Sequence, residues 1–184
     1  MDIFLGFAPY IAFFVALKLV AIETALWAAA CVAVLLTGRN WARSGALKVL
    51  EIGNIVVFTA VAAFTSAEHW NWTLTGVRLA VDCGLLAIVL ASLAIDRPFT
   101  LQYAREQVPQ EVWTNPLFLS VNRRITWVWA AAFAAMVAAH AAVVFAPGTP
   151  VSLDLGVTVV ALSGAYYFTR RYPEMVRRRA TGGG

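Results

Sequence analysis

Charge is scarce in this sequence: Lys, Arg, Asp and Glu make up 13% of its 184 residues, while 61% are hydrophobic. The mean hydropathy is +0.74. That scarcity excludes an ordinary water-soluble domain, because so few polar groups cannot cover the surface that a chain of this length must expose. The fourteen cations, against ten acids, fall in a few connections and at the C-terminus rather than on one face, so nucleic acid is excluded as a partner. Cysteine is nearly absent, and both copies, Cys31 and Cys83, sit inside apolar runs, which leaves no disulfide framework and no redox pair. Catalytic signatures are missing too: there is no Gly-x-Ser-x-Gly, no His-Glu-x-x-His and no P-loop. Of two histidines only His140 lies in an apolar run, so neither paired haem ligation nor a three- or four-ligand zinc site can be assembled. The expectation is a non-enzyme without cofactor or metal.

What is present is hydrophobic length. Five runs, about 20–37, 50–66, 74–95, 125–146 and 152–169, approach or exceed the roughly 17 residues needed to cross a hydrocarbon core. Backbone groups in lipid must bond internally, and the alternation of a barrel is missing, so the runs predict an all-α, polytopic membrane helix bundle. A sixth segment, 3–17, is strongly apolar but short and holds Pro9; it either spans or forms a half-helix, giving six or five crossings. Ala28-Ala29-Ala30-Cys31 has a lipoprotein-like look, yet no basic region precedes it and the apolar run continues to Leu36, so the N-terminus is expected to be retained.

The connections give an orientation. Linker 38–49 carries Arg39, Arg43 and Lys48, linker 96–124 carries Arg97, Arg105, Arg123 and Arg124, and the tail 170–184 carries Arg170, Arg171, Arg177, Arg178 and Arg179. The alternate connections, 65–73 and 147–151, hold no Lys or Arg. The positive-inside rule therefore predicts a bacterial inner-membrane protein with a cytoplasmic C-terminus, its span ends marked by Trp41, Trp70, Trp72, Trp113 and Trp127. Within the long linker, Asp96 and Pro98 can start a helix, and Leu101, Ala104, Arg105 and Val108 recur at helical spacing; 98–108 reads as a short interfacial helix on the cytoplasmic surface. One membrane domain, 1–184, accommodates all of this.

Ionisable residues within spans are the candidates for function, because burying them in lipid is costly. Lys18, Glu23, Arg78, Asp82, His140 and Asp154 all fall toward the outer ends of their segments, and Glu51 lies toward the inner face. Arg78 and Asp82 share a helix face at i,i+4 and can pair. One reading is an outward-facing polar cluster that holds a lipid or isoprenoid headgroup; the other is snorkelling end residues and one structural ion pair. His140 is read either as a packing residue bonded to a carbonyl or carboxylate, or as a proton relay. Ala131, Ala135 and Ala139 recur every four residues and predict a flat face packed against another helix of the chain or a second copy, with Phe133 and Met136 left toward lipid.

The opening Phe4-Leu5-Gly6-Phe7-Ala8-Pro9, followed by Phe13-Phe14 and by Lys18 with Glu23 close behind, resembles the start of the bacterial intracellular septation protein A family. Pro98-Phe99, Trp113, Asn122 and Trp129-Ala130-Ala131-Ala132-Phe133 are similar to later motifs of those small inner-membrane proteins. The resemblance implies a non-enzymatic protein acting in septation and cell-envelope maintenance through membrane-protein partners, with no catalytic residues. A small transporter, a headgroup-binding protein or an accessory subunit of a larger complex are the alternatives. Membrane lipids are partners in every case, and a homo-oligomer is one form the packing could take.

Overall fold

A computed structural model describes residues 6–67, 73–146 and 148–181. His69, Trp70, Trp72, Pro147 and the C-terminal glycines lie outside the described residues, as does the start of the opening motif. Every regular element among the described residues is helical: α1 (Ala8–Ala16), α2 (Ile22–Ser44), α3 (Val49–Ala67), α4 (Leu74–Ala94), α5 (Phe99–Arg105), a 3₁₀ turn (Gln110–Val112), α6 (Pro116–Phe145) and α7 (Val151–Thr181). Five of them, α2, α3, α4, α6 and α7, are long and apolar enough to cross a membrane. The chain is therefore a multi-pass helical membrane protein. By its contacts it forms two compact units, Met1–Ile88 and Val89–Gly184, with α4 contributing to both.

In the first unit, α1 has nine residues and a length of about 14 Å, half of a hydrocarbon core. It packs against α2 and α3. Pro9 stands at its start, where a missing N–H costs nothing, and its rings fill the space beside α3: Tyr10 and Phe58 meet edge-on at 4.9 Å between centroids, and Phe13 lies 5.9 Å from Phe58. Phe13, Leu26, Leu50, Phe58 and Val77 are fully buried. The 38–49 linker is shorter than its composition suggests. α2 continues through Arg39, Trp41 and Arg43 and ends on Gly45, whose φ of 66° and N–H bond to Trp41 O form a left-handed cap. Arg43 in the last turn is favoured by the helix dipole, so basic residues prolong the helix out of the apolar zone.

Two glycines bring α3 and α4 together. A Cβ on Gly53 would lie 2.5 Å from Ile88 Cδ1 and Cγ1, and one on Gly84 would lie 2.6 Å from both methyls of Val57. Each helix thus offers a glycine to the other's β-branched side chain. In lipid, where apolar surface has no hydrophobic reason to associate, such close approach supplies the attraction.

In the second unit the break between α4 and α5 is a Schellman motif. Asp96 has φ 54°, its N–H bonds Leu93 O and the Arg97 N–H bonds Ser92 O. Asp96 thus closes α4 and does not start the next helix; Pro98 occupies that cap position, and Phe99 N–H donates to Ser92 Oγ at 3.3 Å. The short helix ends at Arg105, three residues before its expected limit. It buries Phe99, Thr100, Leu101 and Tyr103, so its apolar side is spent on the unit's own core. α6 then merges the 116–121 patch with the span into one helix of thirty residues, about 45 Å long, started by Pro116 and capped by Asn115 Oδ1 accepting from Leu117 N–H at 2.8 Å. α7 likewise runs through the expected tail to Thr181, with Pro173 inside it.

Within the chain, the packed face of α6 takes only one residue of the small-residue stripe. Ile125, Trp129, Phe133, Met136 and His140 are buried together with Ala139, whereas Ala131 and Ala135 are exposed. Polar tips choose this face. Trp129 Nε1 donates to Thr169 Oγ1 at 3.0 Å, and eleven residues later His140 meets Asp154, so both groups find their partners on α7 only if this side is turned inward. Phe133 and Met136 lie between them and are buried with them.

Candidate functional site

The six candidate residues belong to two units, four to the first and two to the second. Lys18 follows α1 and Glu23 stands in the first turn of α2; both are exposed. Arg78 is half-buried, with its guanidinium carbon 5.2 Å from the Phe14 ring centre, a cation–π distance. Asp82, one turn farther along α4, is buried. These four belong to the first unit, and His140 and Asp154 belong to the second.

His140 and Asp154 are brought into contact. Nε2 lies 3.1 Å from Asp154 Oδ2, with the two side chains 5% and 6% exposed. The other ring nitrogen, Nδ1, lies 3.2 Å from Met136 O. The chain turns back between α6 and α7 over a short loop, Thr149 being fixed by bonds from its N–H and hydroxyl to Ala146 O. That reversal places the last turns of α6 beside the first turn of α7, where Asp154 also meets the positive end of the helix dipole. Oδ1 of Asp154 is buried without a hydrogen-bond partner among the described residues.

Three further polar groups were not joined by sequence reasoning. Glu51 Oε1 accepts from Asn40 Nδ2 at 2.7 Å and lies 3.6 Å from Lys48 Nζ, all at the meeting of α2 and α3. Lys48, counted among the linker cations, is therefore buried beside an acid. Asn54 donates to Gly6 O at 2.6 Å and accepts from the Tyr10 hydroxyl at 3.2 Å, fixing α1 to α3. Thr100 donates to Asn122 O and shares a 2.7 Å hydroxyl contact with Thr126, tying α5 to α6. Glu51 and Asn54 stand at i,i+3, which was the available signal; their partners are remote in sequence. Such bonds compensate the burial of polar groups.

An open apolar groove of about 790 Å³ runs between α6 and α7, lined by Val128, Ala132, Ala135, Gly156, Val160 and Gly164 among others. Ala135 borders this groove. Among the described residues no group of three or more His, Cys, Asp or Glu is placed to hold a metal. Compared with family models, with curated proteins and with solved structures, the chain finds no match.

Proposed function

We propose that this protein resides in a bacterial-type inner membrane with its C-terminus in the cytoplasm and works without catalysis, by engaging membrane-protein partners. The carrying observation is the charge pattern on the five spanning helices. Arg39 and Arg43 end α2, Arg97 and Arg105 follow α4, Arg123 and Arg124 lie near the start of α6, and Arg170, Arg171 and Arg177 to Arg179 occupy the end of α7. All these places fall on one side of a five-span chain. The opposite connections after α3 and α6 contain no cation. Lys18 is an outer cation close to Glu23 in sequence, and α1 is a half-helix held to α2 and α3 from that side.

The scaffold role itself draws on the missing catalytic constellation and on the lipid-length helices, which carry many exposed large apolar side chains available to lipid or to another protein. Its assignment to septation and envelope maintenance draws on the resemblance alone, carried by the opening, by Pro98-Phe99, Trp113 and Asn122, and by the Trp129 segment. A second reading, recognition of an anionic headgroup, is favoured by Arg78, held half-buried over Phe14 near the outer end of α4. Affinity isolation of the full chain in mild detergent tests both. Stoichiometric co-purification of division or envelope-synthesis proteins supports the first reading. A lipid or isoprenoid that stays bound and is lost in Arg78→Gln, with no protein partner retained, replaces it with the second.

A further inference from the structure

We propose that the second unit carries a phospholipid site: the groove between α6 and α7 takes one acyl chain, and Arg124, Arg171 and Tyr172 at its end bind the phosphodiester of an anionic headgroup. Small side chains make the groove, Ala132 and Ala135 on α6 and Ala161 and Gly164 on α7, beside Val128 and Val160. A Cβ added to Gly164 would meet nothing within 4 Å, so no described side chain closes on that wall. Of the apolar stretch of α7, 11% is buried within the chain, against 39% for α6, and α7 therefore turns most of its surface outward.

The exposed rings of Trp127 on α6 and Tyr167 on α7 mark the headgroup level. Half of a hydrocarbon core, about 15 Å, corresponds to about ten residues of helix. An acyl chain that descends from Tyr167 thus runs along α7 to Val157 and stays within the groove.

The two helix faces that line the groove lead to cations. Arg124 stands four residues before Val128, one turn along α6, while Arg171 and Tyr172 stand seven residues past Gly164 and Ala165, two turns along α7. Arg124 leans across from α6, its Nη1 donating to Tyr172 Oη at 2.8 Å. Arginine has no lone pair to offer, so the proton of Tyr172 points away from Arg124. The pair therefore presents a hydroxyl donor beside the remaining N–H groups of the guanidinium. Arg171, its guanidinium carbon 5.6 Å from the Tyr167 ring centre, adds a second charge on the groove side of α7. Arg124 and Arg171 are exposed and Tyr172 is half-buried. Phosphate oxygens accept charge-assisted bonds from such donors, and basic places between spanning helices suit lipid headgroups.

Charge decides between a lipid and a second copy of this chain as the occupant. A copy inserted with the same orientation brings its own Arg124, Arg170 and Arg171 to the same level, where like charges repel. Phosphatidylglycerol neutralises them. Phosphatidylethanolamine brings an ammonium with its phosphate and is the weaker ligand. The site makes no use of Arg78, which belongs to the first unit, and it stands whichever protein partner is engaged.

Native mass spectrometry of the full chain in mild detergent, titrated with phosphatidylglycerol, phosphatidylethanolamine or glycerol phosphate, tests the site. One phosphatidylglycerol is expected to bind more tightly than phosphatidylethanolamine, and glycerol phosphate, the anion without a tail, is expected not to displace it. Arg124→Gln should weaken phosphatidylglycerol binding by at least about tenfold, the loss of one charge-assisted bond. Gly164→Leu fills the groove from a position where its Cβ touches nothing, and should weaken binding by a similar factor. Arg170→Gln removes an equal charge from the other side of α7, where Arg170 lies over the Tyr166 ring, and should leave binding nearly unchanged. Equal losses in Arg124→Gln and Arg170→Gln mean diffuse attraction only and overturn the proposal. Displacement by glycerol phosphate, unaltered binding in Gly164→Leu, or a dimer that Gly164→Leu separates while phosphatidylglycerol stays bound overturns it as well. The comparison of ligands on the unaltered chain decides even where a variant fails to fold, since equal binding of the two phospholipids contradicts the site.

Discussion

Replacing Gly84 with alanine isolates the packing that joins α3 to α4. The new Cβ meets Val57 Cγ1 and Cγ2 at 2.6 Å and Val57 Cβ at 3.2 Å, and β-branching leaves Val57 little rotamer freedom to withdraw. Overpacking of this kind costs about 1–3 kcal/mol. Alanine also gains about 1 kcal/mol over glycine in a helix interior, so the net loss is about 0–2 kcal/mol. Gly38 in α2 supplies the control, since nothing lies within 4 Å of its added Cβ and only the propensity gain remains. The difference between Gly84→Ala and Gly38→Ala, about 1–3 kcal/mol, therefore measures the contact itself. Unfolding in mixed micelles, followed by far-ultraviolet circular dichroism, reads both. Adding Val57→Ala to Gly84→Ala removes the clashing methyls, and the two changes should be coupled favourably by at least about 0.5 kcal/mol. Equal stabilisation by the two alanines, with Val57→Ala strictly additive, would refute the close approach.

Other contacts give sharper losses. Glu51→Ala leaves Lys48 buried without its acid and should cost about 3–5 kcal/mol, while Lys48→Met with Glu51→Leu should cost much less; equal losses in chemical unfolding would show the two to be independent. Asp96→Gly relieves a left-handed backbone worth about 1–2 kcal/mol and gives up only an exposed pair with Arg123, so a slight gain in thermal stability is expected, and a clear loss contradicts the Schellman assignment. Trp129→Phe removes the bond to Thr169 and should lower stability by about 1 kcal/mol, an effect that vanishes in a Thr169→Val background if that bond is its source.

The spanning helices were legible because hydropathy reports what lipid demands of a segment, and each of the five runs falls on one of the five long helices. Their ends were less so. α2, α6 and α7 continue through arginines and tryptophans that hydropathy reads as loop, since helix geometry persists wherever backbone bonds and snorkelling side chains allow it. The candidate His140 was visible as a costly residue, but periodicity relates residues on one helix only, and Asp154 approaches it across a chain reversal. Ala131 and Ala135 of the alanine stripe stand outside the chain's own packed face for a related reason. Small size marks where helices can meet, yet the polar ends of Trp129 and His140 determined which side of α6 turned inward. Glycines made a close contact between α3 and α4, at Gly53 and Gly84, where each needed a particular partner, Ile88 or Val57, that no local pattern reveals.

Impermeant thiol labelling of intact cells tests the five-span orientation most directly. Cys31 and Cys83 are first replaced by serine, and single cysteines are placed at Ser44, Gln107, Asn71 and Thr149. The account predicts labelling of Asn71→Cys and Thr149→Cys from outside, with Ser44→Cys and Gln107→Cys protected until the membrane is permeabilised. Labelling of Ser44→Cys or Gln107→Cys in intact cells would contradict it.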